Sequence, residues 1–351
     1  MPIAWERGGY TVLSWRVFRV DPITWADSAL VAKVSGLTVA RDGSDSSPTI
    51  ERGSFTVDRA VGESIEEGYY RIAMTAEQGG AAERVDVVTL LCASTRDTTD
   101  RAMAAVEVEG RSVLYPASVA RMDVGSYAPM GANGAEWAAR MLRGCVNAPV
   151  TVTGGFTLDD HVVFDVGTSV LDAVWLVLRA GNHLLRILGD GTIVVAALPT
   201  EPTLPLDLAH ARLLRPGIER TLDLSAVPNR YIAVDGSRRA MAVNSDPESE
   251  TSTVRRGWRS DVVDTSPVRV NGETLESYCS RRLEEESTVD DARGYTREWW
   301  PGVLPGDLAR GTLRGCGMEG DFRVRSQQLA CGAGITVEEE SVREVRTWQR
   351  S

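Results

Sequence analysis

The chain has 351 residues, 43% hydrophobic and 25% charged, with 49 acidic against 38 basic side chains and a formal net charge of −11. That apolar fraction can offset chain entropy, which excludes disorder as the dominant state, and the length exceeds what one core usually supports, so several domains are expected. Its basic residues are dispersed as pairs diluted by acids (Arg238-Arg239, Arg255-Arg256, Arg281-Arg282), so the counterion release that holds proteins on phosphate backbones is missing.

Glu6, Arg7, Arg16 and Arg19 interrupt the start of the chain, so no signal peptide is expected. The longest apolar stretch, Val170 to Leu178, contains Asp172 and is too short to cross a bilayer. Residues 1–122 read as short strands parted by Gly, Ser and Asp: Thr11 to Val20, Ser54 to Val57, Tyr69 to Ile72, Val85 to Leu91 and Val113 to Tyr115. Strands at this spacing predict a barrel or sandwich, and no helix is expected among them.

Residues 123–205 change character. Asn133 with Glu136 predicts an N-cap, and Trp137, Met141 and Leu142 share the face that follows, ending at Gly144. Ser169 with Asp172 predicts a second helix through Val174, Val177 and Leu178, capped by Gly181. A hairpin follows, Leu184 to Leu188 and Thr192 to Ala197 around Gly189-Asp190-Gly191, and Pro199, Pro202 and Pro205 read as a linker. This is a small α+β domain.

From residue 206 the β-character returns near Leu213. Asn229 to Val234 and Arg238 to Val243 flank Asp235-Gly236 as a hairpin. A helix is predicted from about Asn271, with Leu275, Tyr278, Cys279 and Leu283 on one face and Arg281–Glu285 and Arg282–Glu286 one turn apart. Further strands are expected at Tyr295 to Val303, Asp307 to Leu313, Phe322 to Ser326, Ile335 to Val337 and Val342 to Trp348. The helix, about 265–292, reads as an insertion in a second β-domain, 206–351.

Signatures of catalysis are missing. The sequence has no G-x-S-x-G, no phosphate-cradling glycine loop and no H-E-x-x-H, and its three histidines stand apart. The five cysteines, 92, 145, 279, 316 and 331, lack zinc-ligand spacing and read as free thiols, with a Cys316–Cys331 pairing left open. Adjacent acids such as Asp159-Asp160, Asp290-Asp291 and the run Glu338 to Glu340 read as turns and wet faces rather than catalytic dyads. Of Trp299 and Trp300, neighbours in a strand, one is expected in a core and the other at solvent or a partner.

The order of pieces resembles the tail hub (baseplate hub) proteins of long-tailed bacteriophages, which are related to hubs of contractile injection machines. The resemblance is carried by Phe164-Asp165-Val166-Gly167-Thr168-Ser169-Val170-Leu171-Asp172 leading into a helix, then Gly189-Asp190-Gly191-Thr192-Ile193. Val227-Pro228-Asn229-Arg230-Tyr231 opens the second barrel, Glu273 to Leu283 looks like the inserted helix, and Trp300-Pro301-Gly302-Val303-Leu304-Pro305-Gly306-Asp307-Leu308 precedes Gly320-Asp321-Phe322-Arg323-Val324. It covers about residues 155–350 by motif and the first 120 by architecture.

The resemblance implies a β-rich α+β fold: two tube-like β-barrels joined by a small α+β domain, with a helical insertion in the second barrel. It further implies a homotrimer whose barrels form a ring of six between a sixfold tail tube or distal tail ring and a threefold tip, spike or fibre. The tape-measure protein and transiting DNA would be its other partners, the latter without specific binding. Such a structural protein would sit at the virion's tail tip after assembly in the host cytoplasm, with no catalytic site, cofactor, metal or membrane span. Trp299, Trp300, Pro305, Gly306, Asp307 and Trp348 are its candidate structural or interface residues. The rival readings are a distal tail or receptor-binding protein recognising host glycan, and a tail-associated cell-wall hydrolase.

Overall fold

The structure is a computed structural model that describes residues 3–5, 8–31, 34–44, 49–60, 65–100, 103–202, 218–270, 272–313, 318–332 and 334–348. Pro205, Leu213, Asn271 and Cys316 lie outside the described residues.

The fold is β-rich α+β. Seven strands come first: β1 (Thr11–Val20), β2 (Asp27–Val31), β3 (Val34–Asp42), β4 (Glu51–Ala60), β5 (Gly68–Gln78), β6 (Ala81–Asp100) and β7 (Met103–Ser112). The expected strand at Val113 to Tyr115 is instead a turn entering a short helix, α1 (Tyr115–Val119), with Pro116 in its first turn where a missing N–H costs nothing. The middle region continues with β8 (Tyr127–Ala128), α2 (Gly134–Arg143), β9 (Val150–Thr153), β10 (Val162–Val163), α3 (Val170–Ala180), β11 (His183–Ile187) and β12 (Ile193–Ala197).

Both middle helices begin where their caps dictate. The Asn133 side chain accepts from the Ala135 and Glu136 N–H groups, and Ser169 Oγ accepts from Asp172 N–H at 3.0 Å while donating to its carboxylate at 2.6 Å. Ser169→Ala is expected to cost about 1 kcal/mol in thermal or chemical unfolding, the usual value of a lost N-cap. The helices bury Trp137, Leu142, Leu171, Val174 and Leu178 in one core with Leu185, Ile187, Ile193 and Val195 of the β-hairpin.

The last third holds β13 (Glu219–Leu222), β14 (Arg230–Asp235), β15 (Arg238–Val243), α4 (Thr253–Arg256), β16 (Asp261–Asp264), α5 (Leu275–Glu286), β17 (Thr288–Glu298), β18 (Leu308–Leu313), β19 (Met318–Cys331) and β20 (Ile335–Arg346). The insertion holds more than its helix. β14, β15 and β16 form their own three-stranded sheet, and α5 packs on it through Leu275, Tyr278, Cys279 and Leu283, so Val227 to Tyr231 opens this insertion and not the large sheet. The hairpin loop is Gly236-Ser237, since Asp235 still pairs with Arg238. The two segments expected at Ile335 to Val337 and Val342 to Trp348 are one strand, and β17 starts and ends earlier than the stretch expected at Tyr295 to Val303.

Most strands belong to one twelve-stranded sheet, in the order β13-β17-β20-β19-β3-β4-β7-β6-β5-β1-β2 with β18 on the side of β19. Its join is the antiparallel pairing of β19 with β3, from Ser326↔Asp42 to Ala330↔Thr38. The two β-units also share a core, in which Trp299, Leu329, Ile335 and Val337 of the second lie among Val17, Phe55, Ile72 and Leu90 of the first.

Candidate assembly interface

Strand alternation gives the large sheet two chemically distinct faces. Directly opposed residues share a face, and one row runs Thr296, Glu338, Gln328, Ala40, Arg52, Arg111 across six strands. Its neighbours on the same face are Glu219, Gly294, Glu340, Ser326, Asp42, Ser54, Glu107 and Glu109. This face is polar and rich in small residues, and Glu219, Glu338, Glu340, Asp42, Glu107 and Glu109 outnumber Arg52, Arg111 and Arg325, the last paired with Glu340 at 3.4 Å. It is also concave where the two β-units meet: a hollow of about 560 Å³ opens there between β13, β17, β20, β19, β3 and β4.

The opposite face carries a second row across the same join, Tyr295–Glu339–Gln327–Arg41–Glu51, with every member buried. Glu339 is its hub. It accepts from Arg297 Nη2 at 2.6 Å, from Gln327 Nε2 at 2.7 Å and from the Tyr295 hydroxyl at 2.5 Å. Burial and the adjacent Glu339 charge push the Tyr295 hydroxyl far above its ordinary range. Arg41 Nε donates to Glu51 at 2.8 Å, and burial still pushes the Glu51 carboxyl up against that guanidinium's pull. The run Glu338 to Glu340 is therefore not a uniformly wet face, because its middle member points inward.

The middle region is pinned to both β-units by turns that the sequence marks. Gly189-Asp190-Gly191 docks on the first: Trp25 Nε1 donates to Asp190 O at 2.8 Å and Thr89 Oγ1 to Gly189 O at 3.0 Å. Gly189 lies so close that a Cβ there would stand 1.8 Å from Asp86 O, which only glycine avoids. Pro305-Gly306-Asp307, a turn of the second β-unit, docks on the middle region: Asp307 accepts from Arg186 at 2.7 Å and from Leu304 N–H at 2.8 Å, while Arg323 reaches Gly306 O at 2.9 Å and Pro199 O at 3.1 Å. Burial raises the Asp307 carboxyl, with Arg186 opposing. These three candidates thus line a contact within the chain.

The tryptophans divide similarly. Trp299 is buried at the join, accepting from Tyr10 Oη through its carbonyl at 2.9 Å. Trp300 is half-buried against Tyr295, Val303 and Phe322, and Trp348 packs on the insertion beside Tyr231 and Tyr278. Both Trp299 and Trp300 follow the end of β17, so strand alternation does not orient them.

A larger hollow of about 770 Å³ lies between α3, α5 and β19. Its guanidiniums are engaged: Arg281 binds Glu273 at 2.7 Å and Glu285 at 2.9 Å, and Arg282 binds Glu285 and Glu286 at 2.8 Å. It is a seam held by ion pairs. Among the described residues no group of three or more His, Cys, Asp or Glu could hold a metal ion, and no helix is long and apolar enough to cross a membrane.

Near the β13 end of the sheet Asp291 gathers Arg220 at 2.8 Å, Arg343 at 2.9 Å and Arg293. Burial alone would raise this carboxyl, but the Arg293 and Arg220 guanidiniums outweigh it and hold it at about 2. A depressed carboxylate contributes stability above its unfolded value near 3.8, and that contribution is lost as pH falls towards 2. Asp291→Asn should therefore flatten the acid limb of a stability–pH curve between about pH 4 and 2.

The topology as a whole matches solved structures across nearly the full chain. The tail protein from Neisseria meningitidis MC58 superposes with a TM-score of 0.66 over 97% of this chain and 98% of its own, at 14% identity. The chain has the fold of phage tail proteins. The 43 kDa tail protein of prophage MuSo2 from Shewanella oneidensis gives 0.62 over 95% and 98%, at 13% identity. An Escherichia coli component of the type VI secretion system, itself structurally similar to bacteriophage T4 tail proteins, gives 0.53 over 91% and 76%, at 9% identity. No family profile and no curated protein matches the sequence. At such identities the likeness to these tail proteins is one of fold.

Proposed function

We propose that the protein is a structural, non-catalytic component of a phage tail: a homotrimeric hub at the tail tip of the virion, assembled in the host cytoplasm. Each chain supplies two tube-like β-barrels, in residues 1–122 and 206–351, joined by the α+β region 123–205. Three chains then make a ring of six that faces a sixfold tail tube or distal tail ring on one side and a threefold tip, spike or fibre on the other.

The observation that carries this reading is the continuous run β13-β17-β20-β19-β3-β4-β7-β6, eight strands antiparallel at every step, with one acidic face that is concave from β13 to β4. Among the described residues its ends are open: β13 pairs only with β17, and β6 beyond Cys92 pairs only with β7. Eight alternating strands leave the end strands pointing oppositely, so head-to-tail copies can continue the antiparallel pattern until a ring closes and removes both edges. The acidic face would then line the channel, where it repels DNA phosphate and keeps genome and tape-measure protein from sticking during ejection.

Light scattering on the purified chain, followed by cryo-EM of the resulting peak, tests this. A mass three times 38.1 kDa and a ring with Glu338 and Glu340 towards its lumen are expected. A closed hexamer, or a ring with these glutamates outside, overturns the reading.

A further inference from the structure

Two tetrapeptides of the middle region repeat one another, Asp123-Val124-Gly125-Ser126 and Asp165-Val166-Gly167-Thr168. Each closes a β-turn: Ser126 N–H donates to Asp123 O at 3.0 Å and Thr168 N–H to Asp165 O at 3.1 Å. Gly125 and Gly167 lie at φ +79° and +91°, the third position of a type II turn. Two main-chain bonds set the turns side by side, Phe164 N–H to Ser126 O at 3.4 Å and Met122 N–H to Thr168 O at 2.9 Å.

The residue before each glycine projects outward, and Val124 and Val166 are 85% and 78% exposed. The surface continues onto β8 and β10, where Tyr127 opposes Val163 and stands edge-on to His161 at 5.4 Å. Met130, also exposed, adjoins it through its N–H bond to His161 Nδ1 at 3.2 Å. Contiguous apolar exposure of this kind marks a contact surface. Its rim holds the exposed Asp123 and Asp165, one at the root of each turn, against Arg121.

We propose that the twin turns are a docking surface for a protein segment apolar at its centre and carrying Lys or Arg at its edge. In the hub reading, on which the partner's identity rests, that segment belongs to the tail component abutting the middle region. A second copy fits less well, because it presents the same excess of aspartate over Arg121, whereas a basic edge neutralises that excess.

Hydrogen–deuterium exchange of residues 123–130 and 162–168, in the purified chain and in tail particles containing it, tests the proposal. Slower exchange in the particles is expected. The Val124→Asp/Val166→Asp variant should keep the wild-type melting temperature and oligomeric mass yet enter particles roughly tenfold less or worse, as for loss of a central anchor. Asp123→Lys/Asp165→Lys should slow incorporation and remove its salt dependence. Unchanged exchange with normal incorporation of the valine variant overturns this proposal alone. Protection in the isolated chain that grows with concentration overturns it in favour of a self-contact. A chain absent from tail particles overturns the hub reading together with it.

Discussion

Trp299→Ala is expected to be the most damaging single truncation, costing about 3–5 kcal/mol in chemical unfolding, as for other buried large aromatics. Trp299 is the largest fully buried side chain among the described residues, and it belongs to the second β-unit by sequence but packs among Val17, Phe55 and Ile72 of the first. The loss therefore uncouples the units as well as opening a cavity. Its Nε1 donates to nothing in the core, so Trp299→Phe, which removes that stranded donor, should cost distinctly less than Ala. Equal costs for the two variants would contradict this placement. Trp300, only half-buried, should tolerate the same truncation better.

Glu339→Ala comes next, with an expected loss of about 3–5 kcal/mol because the Arg297 guanidinium stays buried without its counter-charge. The comparison with its neighbours is sharper than the value itself. Glu338 and Glu340 lie on the concave wet face, where substitutions usually stay within about 0.5 kcal/mol. Urea denaturation of the three alanine variants should thus show one steep loss between two small ones. Three similar values would mean that the strand's register is wrong.

That contrast also shows what local sequence reveals. Helix caps are local chemistry, so Asn133, Ser169 and Gly181 mark α2 and α3 at their true ends, and the Leu275–Leu283 stripe marks the buried side of α5. Sheet partnership is not local. β14 and β15 read as a hairpin from Asp235-Gly236, yet nothing nearby says that they leave the main sheet for one of their own. Three successive glutamates hide the alternation of β20, which splits one strand into two in the sequence reading. The acidic face of the large sheet was legible only as an excess of acids, because its row is assembled from six strands by registers that no single segment encodes.

The β3–β19 pairing joins residues 38–42 to residues 326–330, nearly the whole chain apart. Contacts of such long sequence separation are slow to form, since loop closure must precede any gain from pairing. On the ribosome β3 must wait for residues 326–330 with one edge open, and the core that holds Leu37 and Val39 waits for Trp299, Leu329 and Val337. The join thus ties the two β-units into one folding event: a chain lacking β19 would keep the edge of β3 unpaired and open to aggregation.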